Sequence, residues 1–161
     1  MDDQEESINY QAIQNLQELQ LPSALISLIT TSVKNQIQAD LTRDEGVIYA
    51  IYKDHLGYPT FGIGHLITSR DAEYGKAVGT AVSKARVDAV FQDDLDTHIS
   101  QTKSLFPDLD KYPGDVQRVL VNMCFNLGKA GLAGFSNFGA AIKKNDWKTA
   151  AREGRDSRWY R

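Results

Sequence analysis

Apolar residues recur at helical spacing along the first quarter of the chain. In residues 7–20, an apolar side chain returns every three or four positions behind Ser7, a residue type that caps helix N-termini well. A second stripe begins after Pro22, which suits the first turn of a helix, and continues to about residue 43. Each stripe predicts an amphipathic helix that packs one face against a core. The apolar members of the second stripe are Leu25, Ile26, Ile29, Val33, Ile37 and Leu41.

The pattern changes at residues 46–66. The runs VIYAIY and YPTFGIGH are rich in β-branched and aromatic residues, and the turn-forming residues HLG lie between them. We expect a β-hairpin or a small meander here. Helical spacing returns at Ser83 and continues to the end of the chain, with breaks at a proline-containing loop and at Gly128. The pattern therefore predicts an α+β fold that is mainly α, with one small β element.

The chain is short enough to form a single domain. Its 161 residues are 42% hydrophobic and 24% charged, which is typical of one compact unit with a substantial core. We expect one domain over residues 1–161, without a long linker or an internal repeat. Three sub-regions are predicted within it: N-terminal helices in 1–43, a hairpin lobe in 44–82 and a helical lobe in 83–161.

Composition argues against several kinds of protein. The only cysteine, Cys124, cannot form an intramolecular disulfide, and its apolar surroundings predict a buried thiol. No basic stripe with interleaved aromatic residues is present, so we expect no nucleic-acid partner. The first residues, MDDQEES, are acidic, whereas a secretory signal begins with bases, and the apolar run LPSALISLITTSV is too short to span a bilayer. We therefore expect a cytoplasmic protein without a signal peptide or stable membrane insertion.

The net charge of −3 is unevenly distributed. Residues 1–40 hold six acids and one base, whereas the last twenty residues hold seven bases and three acids. Two interpretations remain open at this point. Either both segments are ordinary solvated helix faces, or the acidic beginning of the chain lies against its basic end.

Two carboxylic acids in the β region differ in their expected surroundings. Glu45 should lie at the C-terminal end of the second helix, where the helix dipole and partial burial disfavour a charged carboxylate, as a general acid requires. Asp54 follows at the hairpin turn, where solvent and backbone N–H groups favour the charged form. Thr60 lies on the returning strand and can point its hydroxyl toward Asp54. One neutral and one charged carboxyl suit glycoside hydrolysis, although a solvated hairpin without catalysis is the simpler interpretation of the spacing alone.

The wider sequence resembles the phage-type lysozymes, or endolysins. The segments that carry the resemblance are, in order, RDEG, YKD, GYPTFGIGH, SKARVDAVFQDDL, VLVNMCFNLGKAGLAGFSN and DWKTAAREGRDSRWY. Together they cover roughly residues 40–161. The family pattern is a Glu, eight residues, an Asp or Cys, five residues and a Thr. Glu45, Asp54 and Thr60 match this pattern.

The resemblance implies a lysozyme-like fold, in which a small β-hairpin lobe and a helical lobe flank a cleft. It also implies hydrolysis of the β-1,4 bond between N-acetylmuramic acid and N-acetylglucosamine in bacterial peptidoglycan. Glu45 would be the general acid, Asp54 would orient a water, and Thr60 would support that water. The other site residues that the resemblance implies are sugar contacts at Leu66 and Phe125, and a structural pair of His65 with Asp94.

The resemblance also implies the cofactors, the partner and the biological role of the protein. It would need no metal and no organic cofactor, and Asp94 and His98, one helical turn apart, fit a solvated helix face better than a metal site. Its partner would be cell-wall peptidoglycan. It would act as a monomeric endolysin that stays in the host cytoplasm until release and then lyses the host cell. Two other functions remain open: a non-catalytic wall-binding or virion structural module, and a lytic transglycosylase, which Asp54 with Thr60 disfavours.

The sequence departs from the family in three places. Phe138 and Glu153 stand where the family has a Ser and an Asn that contact sugar, so neither is expected to be a site residue. The family's Arg-bearing terminal helical segment has no counterpart after Arg161. We hypothesise that residues 1–40 take the place of that segment, as in a circular permutation of the chain.

Overall fold

The architecture comes from a computed structural model that describes residues 23–156 and the side chains of residues 31–155. Five α-helices and one three-stranded antiparallel sheet make up the described part of the chain, which confirms the predicted α+β fold that is mainly α. In chain order the elements are α1 (Ser23–Glu45), β1 (Ile48–Lys53), β2 (Pro59–Gly62), β3 (His65–Leu66), α2 (Lys84–Leu105), a short 3-10 helix (Leu109–Lys111), α3 (Gly114–Ala133), α4 (Ser136–Lys143) and α5 (Trp147–Asp156).

The apolar stripe predicted to end at about residue 43 is helix α1, which ends at Glu45. Three members of that stripe, Val33, Ile37 and Leu41, are buried. The helix predicted at residues 7–20 lies outside the described residues. The contact between the two ends of the chain and the circular permutation also lie outside them, because both depend on residues near the termini that the structure does not describe.

The predicted β element is a three-stranded meander in which β2 is the central strand. Tyr52 of β1 lies opposite Thr60 of β2, and Thr60 lies opposite Leu66 of β3. Directly opposed residues of antiparallel strands point to the same face of a sheet. Tyr52, Thr60 and Leu66 therefore form one row across the sheet, which we call the Thr60 row.

The outer edge of β1 is covered by the segment that precedes α2. Ile51 N donates to Thr80 O at 2.8 Å, and Gly79 N donates to Ile51 O at 2.7 Å. Val82 N donates to Tyr49 O at 2.9 Å. These bonds satisfy backbone groups that an edge strand would otherwise leave to solvent. They also attach the loop between β3 and α2 to the sheet.

The chain divides into two compact units, and the boundary between them falls within α1 and α2. The sheet unit comprises residues 38–97, and the helical unit comprises the described residues up to 37 and from 98 onward. The core cluster of the sheet unit is Ile51, Phe61, Ile67, Val82, Val87 and Val90. The core of the helical unit includes the buried side chains of Val116, Leu120, Met123, Leu132 and Ile142.

Two features of the helical unit bear on the sequence predictions. Gly128 has φ 74° and ψ 169°, so α3 is interrupted at the residue where its apolar pattern predicts an end. Cys124 is buried in α3, which confirms the predicted buried thiol. Burial raises the pKa of this thiol above its ordinary value of 9.0. None of the described helices combines the length and the apolar composition that crossing a bilayer would require.

Gly62 ends β2, where the backbone has a φ of 65° and approaches α2 closely. A Cβ atom on this residue would lie 3.0 Å from Cγ1 of Val87. We expect Gly62→Ala to lower the free energy of unfolding by about 2 kcal/mol, because left-handed backbone strain and overpacking both act there. Gly64→Ala is the matched control, since its φ is 66° but nothing lies within 4 Å of its Cβ position. Urea denaturation of both variants measures the difference, and equal losses would contradict the packing contribution.

Candidate active site

Glu45 is the last residue of α1, as its place in the sequence predicts. Gly46 follows with a φ of 72°, the left-handed conformation that commonly terminates a helix, and the chain turns there into β1. The carbonyl groups of the last helical turn make the surroundings of Glu45 locally negative. The predicted partial burial of Glu45 is wrong, because its side chain is exposed. The neighbours expected to cover it, Ile48 and Tyr49, are themselves 44% and 42% exposed.

Asp54 lies in the turn between β1 and β2, where its carboxylate caps the backbone. Oδ1 accepts hydrogen bonds from the backbone N–H groups of Leu56 and Tyr58, both at 2.9 Å. The N–H groups expected beside Asp54 are therefore present. Both bonds use the same oxygen, and no described residue donates a hydrogen bond to Oδ2. Oδ2 is consequently the oxygen that can bind a water or a ligand.

Thr60 lies in the central strand, and only 3% of the residue is exposed. Its hydroxyl donates a hydrogen bond to Tyr58 O at 2.9 Å, so its single proton is used by the backbone. The hydroxyl oxygen can still accept a hydrogen bond from a water. Tyr58 thus anchors both predicted residues, because its N–H holds Asp54 and its carbonyl holds Thr60. This role is not evident from the sequence, since a peptide group performs it and nearly every residue has one.

Tyr52 is a further polar residue at this place that is not among the sequence predictions. It lies beside Thr60 in the Thr60 row and is half-buried. Burial, followed by the negative charges of Glu45 and Asp54, raises the pKa of the Tyr52 phenol above its ordinary value of 10.0. The phenol therefore lies within electrostatic range of both carboxylates. The pairing of Tyr52 with Thr60 follows from the strand register, which the sequence does not specify.

The two residues implied as sugar contacts lie in different units. Leu66 ends the Thr60 row and is 49% exposed, so an apolar side chain next to Thr60 is open to a ligand. Phe125 lies in α3 of the helical unit and is half-buried, with its ring centre 4.8 Å from that of His98. Leu66 thus shares a sheet face with Thr60, whereas a sugar contact at Phe125 stays a prediction.

His65 lies opposite Phe61, on the face of the sheet that is turned away from the Thr60 row. Its Nδ1 lies 2.7 Å from Asp94 Oδ2, so the structure brings the implied pair into contact. Its Nε2 lies 3.0 Å from Asp71 Oδ2, a second partner that the sequence does not reveal. Asp71 belongs to the irregular loop between β3 and α2, and no periodic pattern of residues encodes the path of such a loop.

Further charged contacts extend from this histidine. Arg86 Nε and Nη2 lie 2.9 and 3.0 Å from the two carboxylate oxygens of Glu73. Nη2 also lies 3.3 Å from Asp71 Oδ1. These contacts join the loop between β3 and α2 to the first turn of α2. We call the connected residues the His65 network, which comprises His65, Asp71, Glu73, Arg86 and Asp94.

Each partner in this network stabilises the charged form of the other. Burial opposes the charge on His65, but the hydrogen bonds to Asp94 and Asp71 outweigh it and raise the pKa above the ordinary value of 6.5. Burial also opposes the charge on Asp71. The Thr68 backbone N–H and the hydrogen bond with His65 outweigh it and lower the pKa of Asp71 below 3.8. The network therefore favours an imidazolium between carboxylates, a structural arrangement on the face opposite the Thr60 row.

Two positions that depart from the family pattern, Phe138 and Glu153, and the possible metal site at Asp94 were the remaining candidates for functional roles. Phe138 is 2% exposed and belongs to the core of the helical unit, so its ring is a packing residue. Glu153 is half-buried in α5. The described part of the chain contains no group of three His, Cys, Asp or Glu side chains arranged to hold a metal ion, and Asp94 is bonded to His65.

Comparison with known proteins places these features in context. The family model for phage lysozyme matches residues 42–161. The chain is 32% identical over 138 residues to the pre-baseplate central spike protein Gp5 of Enterobacteria phage T4. This alignment covers 74% of the chain and 24% of the spike protein. The chain is 27% identical over 147 residues to the probable T4-type lysozyme 1 of Dictyostelium discoideum, covering 78% and 85% of the two chains. A probable T4-type lysozyme 2 from the same organism is 28% identical over 141 residues, covering 74% and 81%.

Proposed function

Because the chain belongs to the phage lysozyme family, it is a glycoside hydrolase of the muramidase type, and we propose that it is an endolysin that lyses the host cell. Its substrate is peptidoglycan, in which it hydrolyses the β-1,4 bond between N-acetylmuramic acid and N-acetylglucosamine. One observation carries the assignment of the site. The backbone N–H of Tyr58 donates to the Asp54 carboxylate and its carbonyl accepts from the Thr60 hydroxyl, so one residue holds two of the three proposed catalytic side chains.

In this proposal Glu45 gives its proton to the glycosidic oxygen as the bond to the anomeric carbon breaks. A water held by Asp54 Oδ2 and by the hydroxyl oxygen of Thr60 attacks that carbon. The proton lost by the water passes to Asp54, and Glu45 is left as a carboxylate. Proton exchange with solvent restores both groups. Leu66, exposed beside Thr60, contacts the apolar face of a sugar ring.

The exposure of Glu45 is compatible with a general acid. A glycan that covers the carboxyl excludes water from it, and a drier environment favours the neutral form. The carbonyl groups at the end of α1 act in the same direction. We infer that the bound substrate supplies the apolar cover that the neighbouring side chains do not.

We further propose that the protein accumulates in the host cytoplasm and reaches the wall through a membrane lesion, as a monomer without a cofactor or a nucleic-acid partner. Support for a free lysozyme comes from the two relatives named as lysozymes, which align over most of their length. A second candidate is a lysozyme module that acts as part of a virion. The match to a protein named as a central spike protein supports it, although this chain spans about a quarter of that protein.

The products of purified peptidoglycan test the reaction. We expect new reducing ends at muramic acid after incubation with the wild-type protein. The Glu45→Gln variant should produce none. Anhydromuramic ends would instead indicate a lytic transglycosylase. No cleavage by a folded wild-type protein would indicate a non-catalytic wall-binding or structural module.

A second experiment tests whether the protein acts as an endolysin or as part of a virion. The protein is produced in the cytoplasm of a Gram-negative bacterium, and turbidity is followed before and after the inner membrane is permeabilised. Lysis that begins only on permeabilisation supports an endolysin that waits for a lesion. Recovery of the protein in purified phage particles, detected by mass spectrometry, would favour the virion module.

A further inference from the structure

Tyr58 is an aromatic residue in the turn between β1 and β2, and its side chain has no role in the reaction outlined above. The residue is 55% exposed. Single exposed aromatic residues are common on protein surfaces and need no explanation by themselves. The position of Tyr58 in the hairpin distinguishes it, because it places this ring beside two of the proposed catalytic residues.

The strand register puts the Tyr58 side chain on the face of the sheet that carries Thr60. Lys53 and Pro59 are the last opposed pair of β1 and β2. The pairing continues one step into the turn, where Asp54 N donates to Tyr58 O at 3.0 Å. Alternate residues of a strand share a face, so Tyr58 projects on the same face as Thr60. The two residues are about 7 Å apart along the chain, the length of two strand residues.

This face is the one that a ligand can reach. The opposite face carries Phe61, which is fully buried in the core cluster of the sheet unit. On the Thr60 face, the side chain of Leu66 is exposed across the sheet from Thr60. Tyr58 and Leu66 therefore flank Thr60 in two directions, one along the strand and the other across the sheet.

The backbone of Tyr58 is fixed by the same residues. Its N–H donates to Asp54 Oδ1 at 2.9 Å, and its carbonyl accepts from the Asp54 N–H and from the Thr60 hydroxyl. These bonds hold the Cα atom of Tyr58 in place relative to the carboxylate. All three use the backbone of Tyr58 and none uses its phenol, so truncating the side chain leaves them intact.

We propose that Tyr58 is a substrate-binding residue whose ring stacks on an N-acetylhexosamine ring of the glycan, beside the bond that is cleaved. The C–H groups on one face of such a sugar form an apolar patch that packs against an aromatic face. A tyrosine offers a large, rigid surface of this kind with only two rotatable bonds, so little entropy is lost on contact. A sugar that stacks there is held next to Asp54. The proposal rests on the proposed hydrolysis of peptidoglycan.

Tyr58→Ala tests the proposal through binding. Isothermal titration calorimetry with soluble glycan strands from peptidoglycan measures Kd in a Glu45→Gln background, which prevents cleavage during the titration. We expect Kd to rise about tenfold, because much of one aromatic ring no longer contacts the sugar. Tyr58→Phe should stay within about twofold of the background protein, since the ring is kept. Tyr74→Ala is the matched control, because Tyr74 is 63% exposed in the loop between β3 and α2.

Cleavage kinetics separate binding from catalysis. With Glu45 restored, Tyr58→Ala should raise KM for the same strands about tenfold and change kcat little. A contact made equally with the bound substrate and with the transition state acts on KM alone. A lower kcat with an unchanged Kd would overturn the proposal, because it would indicate a distorted hairpin.

Two further outcomes would also overturn it. One is an unchanged Kd in Tyr58→Ala, and the other is an equal loss of affinity in Tyr58→Phe, which would assign the effect to the hydroxyl. Failure of the proposed function is recognised separately, since the wild type would then cleave no strands. In that case a weaker Kd in Tyr58→Ala would still support the sugar contact.

Discussion

Replacing Glu45 with glutamine should lower the rate of peptidoglycan hydrolysis roughly 10³-fold, which is within the usual contribution of a general acid. The amide has nearly the same shape as the protonated carboxyl but has no acidic proton to give to the glycosidic oxygen. The free energy of unfolding should stay close to that of the wild type, because the side chain is exposed at the end of α1. The release of reducing ends from purified peptidoglycan measures the rate, and urea denaturation checks the fold.

Asp44→Asn is the matched control, because it neutralises the adjacent carboxyl on the same helical turn. Asp44 bonds to Arg43 at 3.2 Å and has no catalytic role in the proposed reaction, so we expect it to keep the wild-type rate. Equal losses in the two variants would point to a general effect of negative charge at the end of α1. A folded Glu45→Gln protein with wild-type activity would rule out Glu45 as the proton donor.

Replacing His65 with glutamine should lower the free energy of unfolding by about 3 kcal/mol at pH 5.5, because charge-assisted hydrogen bonds to two carboxylates are lost. The raised pKa of His65 makes its contribution complete below its ordinary value of 6.5, and the contribution disappears as the pH rises through the folded-state pKa. The lowered pKa of Asp71 makes its contribution present above 3.8 and lost as the pH falls through the folded-state value.

The effect of His65→Gln should therefore be greatest between about pH 4 and 6.5, the interval in which both partners are charged. Urea denaturation at pH 5.5 and 9 measures this, and the loss should be clearly smaller at pH 9. Asp88→Asn is the control, since Lys84 and Asp88 form an ion pair whose side chains are 73% and 42% exposed. This variant should leave the free energy of unfolding close to that of the wild type at both pH values. An equal loss at both pH values for His65→Gln would show that the charge on His65 contributes nothing.

The proposed catalytic residues could be identified from the sequence because the resemblance to the phage-type lysozymes assigns their roles, whereas their spacing alone favours a solvated hairpin. A helix end, a turn and a returning strand follow one another, so the positions of Glu45, Asp54 and Thr60 depend on local geometry. The helix-terminating Gly46 and the turn-forming HLG segment are encoded at those positions themselves. The same holds for the apolar stripe of α1, whose period of 3.6 residues is visible without any long-range contact.

Other features depended on contacts between segments that are distant in sequence. Asp71 reaches His65 only because an irregular loop folds back against the sheet, and the exposure of Glu45 depends on which neighbours cover it. The strand register, which set Tyr52 opposite Thr60, was likewise decided by pairing across the sheet. The sequence by itself determined the order of the elements, since helix periodicity and turn chemistry are local, and its resemblance to the family supplied the proposed catalytic residues. Burial, loop paths and strand register are properties of the packed chain, so only the tertiary structure decided which residues join the pair of His65 and Asp94, and where Tyr52 lies.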